Sequence, residues 1–410
     1  MINLFMENKN FRSFLLFQTF NSIGVGMFGI FMMWAVHALY QNPLYTGIAG
    51  FMFVAPGVAS FIVGPFVDRR NKVVLLRLAC FIQLCVVTLL LAVPFAYWPG
   101  VWLMHLAILV SSIAGMISGP AQTALLPRIV DGEDLIKANA LIRILATVAG
   151  LGIGVLLYMM MARGAEFQLV YAVNTVVLAI ALVFSIFMRS GESQKPETDL
   201  KTYFAELKTG LAFVKQNVML YLVAALVFLN LFAEIAVVNL PMFAEIHAGS
   251  ASGYILLIAL SLVGGLIGSY ISRIIGSKFA LSKIFVLGFI AAGAVRIVFV
   301  NVIATDFTRS LWVYILYVGL GSTIGIFFQT FLQKYPPKHL IARVNTITTS
   351  LCGVAAAIGT LAGGIAGTLL PDVDMIFIIQ GVSYIAIGLC LCLSGRVREL
   401  PKMGDVKPHE

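Results

Sequence analysis

The sequence predicts an all-α membrane protein: twelve transmembrane helices arranged as two pseudo-symmetric six-helix bundles. Three observations lead there. The 410-residue chain is 60% hydrophobic and only 11% charged, whereas soluble domains carry about 25% charged residues. Apolar runs of about 20 residues, the length an α-helix needs to cross ~30 Å of hydrocarbon, recur from end to end. Similar polar punctuation also returns at matching places in the two halves. A closed membrane barrel would show short alternating segments instead, and the chain has none.

The first apolar run, Phe11–Ala38, is too long for a signal-peptide core, and no small-residue cleavage site follows it. It is therefore expected to be retained as span one. Tyr45–Val67, Val73–Ala96, Val101–Ala121, Ile136–Met161 and Phe167–Met188 complete the first half. Val218–Ala244, Gly253–Ile275, Lys283–Ile303, Leu311–Leu332, Arg343–Leu369 and Met375–Leu393 form the second. Asn42-Pro43, Trp98-Pro99-Gly100, Pro336-Pro337 and Pro371-Asp372 supply breaks where connections are needed. The halves join through Arg189–Asn217, whose second part, Leu200–Lys215, sets Tyr203, Phe204, Leu207, Leu211, Phe213 and Val214 among Lys and Glu. That pattern reads as an amphipathic helix on the inner membrane surface. The expected division is an N-terminal bundle over 1–189, a linker over 190–217, a C-terminal bundle over 218–395 and a cytoplasmic tail over 396–410.

Charge tests this layout. With the termini and every second loop on one side, that side holds 24 of the 27 Lys and Arg residues. Arg163 and Arg309 fall on the other side, and Arg296 lies within a span. Such a bias places both termini in the cytoplasm of a multi-pass protein of the bacterial inner membrane. The net charge of +9 is spread over many short loops, so it reports topology and contact with anionic membrane lipids, not nucleic acid. The five cysteines lie inside apolar spans without metal-ligand spacing and read as packing. No phosphate-binding Gly-x-x-x-x-Gly-Lys-Ser/Thr, His/Glu metal motif or nucleophile elbow occurs, so no cofactor, metal or enzymatic activity is expected.

Gly64-Pro-Phe-Val-Asp68-Arg69-Arg70-Asn71-Lys72 packs its charge into the hairpin between spans two and three. A worn counterpart, Gly268-x-x-x-Ser272-Arg273, follows span eight. Gln122…Pro127…Ala138-Asn139 is echoed by Gln329…Pro336…Val344-Asn345 after span ten. The hairpin resembles the loop signature between the second and third helices of the major facilitator superfamily, with Asn71 standing where that signature has Gly. Gly119–Ala140, Glu206–Asn217 and Ala342-Arg-Val-Asn345 are similar to the macrolide-efflux and enterobactin-exporter branch over essentially the whole chain. The resemblance implies alternating access and export coupled to protons; lysophospholipid carriers share the same loops. It also implies a gating role for Gly64, Asp68, Arg69, Arg70, Lys72 and Arg273. The chain departs from drug antiporters of the wider superfamily in having no Arg in span four. Gly24 is followed by Val25 where some relatives have an acid, and Gly150-Leu-Gly-Ile-Gly154 lacks the usual Pro.

Glu234 is the acid to weigh, lying about two-thirds of the way through span seven. An ionised carboxylate there is costly unless it is protonated, paired or facing water, so Glu234 is the candidate proton carrier; the plainer reading is a structural hydrogen bond. The resemblance makes spans one, four, seven and ten line the cavity, which nominates Gln18, Asn21, Asn230 and Gln329. Arg143 and Arg296 are further candidates. Arg143 is near enough to the inner surface to snorkel, and Arg296 could pair with Asp306 or reach the outer headgroups. His37 and His105, at outer span ends, could titrate or simply sit at the interface. The expected function is export of an amphiphilic small molecule, a siderophore or drug-like compound, by a monomeric proton antiporter. A lysophospholipid flippase of the same fold is the alternative within the class, and a non-transporting receptor or assembly factor the alternative outside it.

Overall fold

A computed structural model describes residues 2–59, 70–92, 99–130, 134–189, 209–338 and 340–407. Its helices are α1 (Ile2–Glu7), α2 (Lys9–Tyr40), α3 (Pro43–Val58), α4 (Lys72–Leu90), α5 (Pro99–Ile129), α6 (Leu135–Ala162), α7 (Phe167–Ile186), α8 (209–216), α9 (Met219–Val237), α10 (Leu240–Ala248), α11 (Ala251–Ile275), α12 (Leu281–Ile303), α13 (Phe307–Lys334), α14 (Ile341–Leu369), α15 (Asp374–Leu393) and α16 (Gly395–Arg398). Among the described residues, 11 of these are long and apolar enough to cross a membrane. The apolar helix α3 is shorter, and the end that the sequence assigns to span two lies outside the described residues.

Local chemistry sets many of the ends. Asn8 caps α2 by accepting from Phe11 N (2.9 Å), and Asn42 caps α3 ahead of Pro43 by accepting from Leu44 N (3.0 Å). Asn71 does the same for α4, accepting from Val73 N and Val74 N. Its φ is −67°, so Asn serves at the superfamily's Gly position as a cap and not by adopting a left-handed backbone. Asp306 caps α13 by accepting from Arg309 N. Within the run Gly150–Gly154, Gly152 on α6 has open space where a Cβ would stand.

The chain divides into two compact units, 1–197 with 250–256, and 198–249 with 257–410. In the first, α2 packs on α6 and α7, and α4 packs on α5 and α7. Phe11, Phe14, Phe17, Leu76, Cys80 and Leu125 fill its core. In the second, α9 packs on α14 and α15, and α12 packs on α13 and α15. Span pairs 1–5, 1–6, 3–4 and 3–6 thus recur as 7–11, 7–12, 9–10 and 9–12, the packing expression of the repeat. Phe285, Phe289, Phe327 and Phe331 lead the second core. Two peripheral pieces join that core. The described part of the linker, α8, does not simply float on lipid: Gly210 lies against Arg343 and Ile347 of α14, and Val214 is buried. The tail docks too, with Leu281 N donating to Pro401 O, Lys334 Nζ donating to Met403 O, and Val397 fully buried.

Candidate functional site

Span seven is not the single helix that Val218–Ala244 suggests. It breaks between α9 and α10 because Pro241, second in α10, has no N–H for the carbonyl of Val237. Asn239 holds the break: fully enclosed, its Nδ2 donates to Ile235 O (2.9 Å) and to Gly363 O of α14 (2.8 Å). The two helices meet backbone to backbone there. A Cβ at Gly359 would lie 2.5 Å from Leu231 O, and one at Gly363 2.6 Å from Ile235 O.

Glu234 occupies the last turn before this break, and its own carbonyl accepts from Val238 N. Its half-buried carboxylate has no hydrogen-bond or ion-pair partner among the described residues. Gly359 of α14 lies against it, and an added Cβ there would meet Glu234 Cβ at 3.1 Å. Asn230, one turn earlier on the same face, spends its amide N–H on Leu226 O (2.8 Å) and keeps its carbonyl oxygen for other partners. The arrangement is an acid without a base beside it, at a helix discontinuity.

The first unit carries a second polar feature. Among the described residues, Gln18 Oε1 and Asn21 Oδ1 of α2 are buried without hydrogen-bond partners, as are Asn174 Oδ1 and Thr175 Oγ1 of α7, the helix that packs on α2. Gly24 brings the helices close, since a Cβ there would stand 3.2 Å from Asn174 Oδ1. Three amide oxygens need donors, and one hydroxyl needs a partner of either kind, roles that water or a ligand can fill. Asn174 was discoverable as the one amide in the apolar run Val170–Ile186.

The remaining candidates scatter. Gly64, Asp68 and Arg69 lie outside the described residues. Lys72 is buried with its ammonium on Arg70 O (3.0 Å), and Arg70, Arg273 and Arg143 are exposed. Gln329 is exposed and links α13 to α14 through Asn345 Oδ1 (3.4 Å). Arg296 does not pair with Asp306, which is held by Arg309 (3.1 Å) in the neighbouring turn. Nor does it reach an outer surface: only 3% exposed, its Nε donates to Gln380 Oε1 (2.8 Å) while Tyr317, Phe377 and Phe299 box the guanidinium. One terminal nitrogen has no partner. His105 is enclosed with one ring nitrogen 2.6 Å from Val101 O and the other 2.9 Å from Tyr45 O. Two residues that sequence reading passed over, His247 of α10 and Asp374 of α15, pair at 2.7 Å and pin the second half of span seven to span twelve. Only their juxtaposition makes them notable, and no local sequence signal carries it. Among the described residues no cluster of His, Cys, Asp or Glu is placed to hold a metal.

Residues 14–360 match the Major Facilitator Superfamily. The chain belongs to this superfamily. Among characterised folds, it superposes on a D-xylose–proton symporter with a TM-score of 0.74 at 13% identity, covering 98% of this chain and 100% of that one. It superposes on the nucleoside transporter NupG with a TM-score of 0.72 at 13% identity, covering 93% and 98%. These likenesses establish the fold. In sequence it is similar to the uncharacterized MFS-type transporters YjbB (31% identical over 158 residues) and YvqJ (26% over 179) of Bacillus subtilis strain 168. Those matches cover 37% and 41% of this chain, and the chain spans about two fifths of each relative's length, 39% and 41%. The chain is thus a multi-pass membrane protein of the major facilitator type, a superfamily of transporters and not of enzymes.

Proposed function

We propose that this transporter exports an amphiphilic small molecule, siderophore-like or drug-like, from the cytoplasm across the bacterial inner membrane in exchange for protons, with Glu234 as the proton carrier. The observation that carries the reading is the unpartnered Glu234 carboxylate at the break in span seven. A carboxylate in hydrocarbon without a base is stable only when protonated or facing water. A site whose exposure alternates would therefore load a proton on one side and release it on the other. The broken helix supports this, because discontinuous spans near the midplane are where transporters place coupling and substrate sites. In the first unit, the unsatisfied amide oxygens of Gln18, Asn21 and Asn174 favour a ligand with hydroxyl or amide donors on an apolar body. Gating by the Asp68 hairpin with Arg273, cytoplasmic termini, a monomeric state and membership of the macrolide-efflux and enterobactin-exporter branch belong to the same proposal.

Everted vesicles containing the protein test the substrate class. Siderophores, macrolides, cationic dyes and lysophospholipids are offered one at a time with an imposed pH gradient. Uptake of one donor-rich amphiphile that stops on adding a protonophore is the expected result. Uptake of lysophospholipid alone, independent of the gradient, would replace antiport by lipid translocation.

A further inference from the structure

A cavity of about 560 Å³ in the first unit is not part of the polar strip between α2 and α7 or of span seven. It opens where α2 begins and α7 ends, and it is lined by Lys9, Asn10, Arg12, Ser13, Leu16, Phe184, Phe187 and Arg189. Among the described residues, the Lys9, Arg12 and Arg189 side chains have no hydrogen-bond or ion-pair partner, so three cations line one volume without a described counter-charge. The wall is rigid. Asn10 Nδ2 donates to Arg189 O and Arg189 N donates to Asn10 Oδ1, both at 2.9 Å, clamping the end of α7 to the first turn of α2 through the Arg189 backbone. The Arg189 side chain takes no part in that clamp.

The cavity is also graded along the helix. Cations occupy the end, and Leu16, Phe184 and Phe187 lie deeper; Lys9 and Leu16 are separated by about 10 Å of helix rise. That is the polarity profile of a phospholipid entering from a leaflet, with phosphate at the rim and the upper chain against the rings. We propose that this cavity binds an anionic phospholipid of the cytoplasmic leaflet. The assignment to that leaflet rests on the cytoplasmic N-terminus of the reading above; the chemistry of binding does not. Charge complementarity selects this occupant: a zwitterionic lipid brings its own cation into a site that already holds three, whereas an anionic head neutralises them.

The full-length protein in nanodiscs and in detergent provides the test, which depends on neither sidedness nor transport. Lipid retained by the purified protein is weighed by native mass spectrometry after exchange into mixtures of phosphatidylglycerol, cardiolipin and phosphatidylcholine. Wild type is expected to retain the anionic lipids selectively. Lys9→Gln, Arg12→Gln and Arg189→Gln together should weaken retention roughly a hundredfold, at about fivefold per charge. The charge-conserving set Lys9→Arg, Arg12→Lys and Arg189→Lys should keep it, which separates lost binding from lost folding. Inorganic phosphate at millimolar concentration should not displace the lipid if the apolar wall contributes. Equal retention of phosphatidylcholine, equal retention by the neutralised variant, or full displacement by phosphate would overturn the proposal.

Discussion

At the scale of single residues, burial without a partner distinguishes the functional candidates from the packing. Glu234 and Arg296 are both ionisable groups inside spans, yet their surroundings differ. Arg296 is enclosed by Gln380 and three rings, joining α12 to α15, with one terminal nitrogen lacking a partner among the described residues. Arg296→Met should leave Gln380 Oε1 without a donor and cost about 1–3 kcal/mol, read as a lower thermal midpoint in detergent. Gln380→Leu should cost more, because it strands the Arg296 guanidinium and also the Tyr317 and Tyr384 hydroxyls, to which the Gln380 amide donates (3.2 and 3.3 Å); a Gln380→Leu variant as stable as wild type would contradict this account. Glu234 has no such enclosure, and Glu234→Gln should leave the thermal midpoint within about 0.5 kcal/mol of wild type. Sequence reading found both residues because an ionisable side chain in an apolar run stands out by itself. It misplaced the partner of Arg296, since helix capping claims Asp306 locally, and missed Gln380, whose relation to Arg296 exists only across two helices.

At the scale of elements, spans seven and eleven form the joint on which Glu234 depends. Gly359→Val and Gly363→Val should force apart backbones that now leave only 2.5 and 2.6 Å for a Cβ. Each should cost about 1–3 kcal/mol or more and reduce transport sharply, measured as thermal midpoint and vesicle uptake. Gly152→Ala, in the corresponding run of α6, meets nothing within 4 Å and should be neutral or slightly stabilising. Which glycines stand at a close helix approach is set by packing and is not legible from the glycines themselves. The His247–Asp374 pair makes a parallel prediction. Either His247→Ala or Asp374→Asn should free α10 from α15, and faster amide exchange over Leu240–Ala248 would report it; unchanged exchange would remove the pair from the account. The break at Asn239 was legible in Pro241. It was passed over because a proline at the second position of a new helix and one inside an old helix look the same in one dimension.

For the whole molecule, the span count, the repeat and the distribution of charge were legible from composition and periodicity alone, because hydrocarbon permits few alternatives to helices of fixed length. The recurring span pairs of the two units express the same repeat that the loop motifs suggested. Which amides would remain unsatisfied was not legible, since that depends on which faces the helices turn to one another. The proposed sidedness rests on the loop charges and is open to direct measurement. In a cysteine-free background, Lys338→Cys and Lys402→Cys should react with an impermeant maleimide only from the cytoplasmic side, and Arg163→Cys and Arg309→Cys only from outside. Labelling of Arg163→Cys and Lys338→Cys from the same side would contradict the topology.

The most direct test of the central claim separates substrate movement from proton movement in proteoliposomes, using wild type and Glu234→Gln with a substrate identified by the vesicle panel. Wild type should accumulate substrate against its gradient when a pH gradient is imposed and should also exchange labelled for unlabelled substrate at equilibrium. Glu234→Gln should keep the exchange and lose the accumulation, because the cavity still alternates while the proton carrier is gone. Full gradient-driven accumulation by Glu234→Gln would contradict the account.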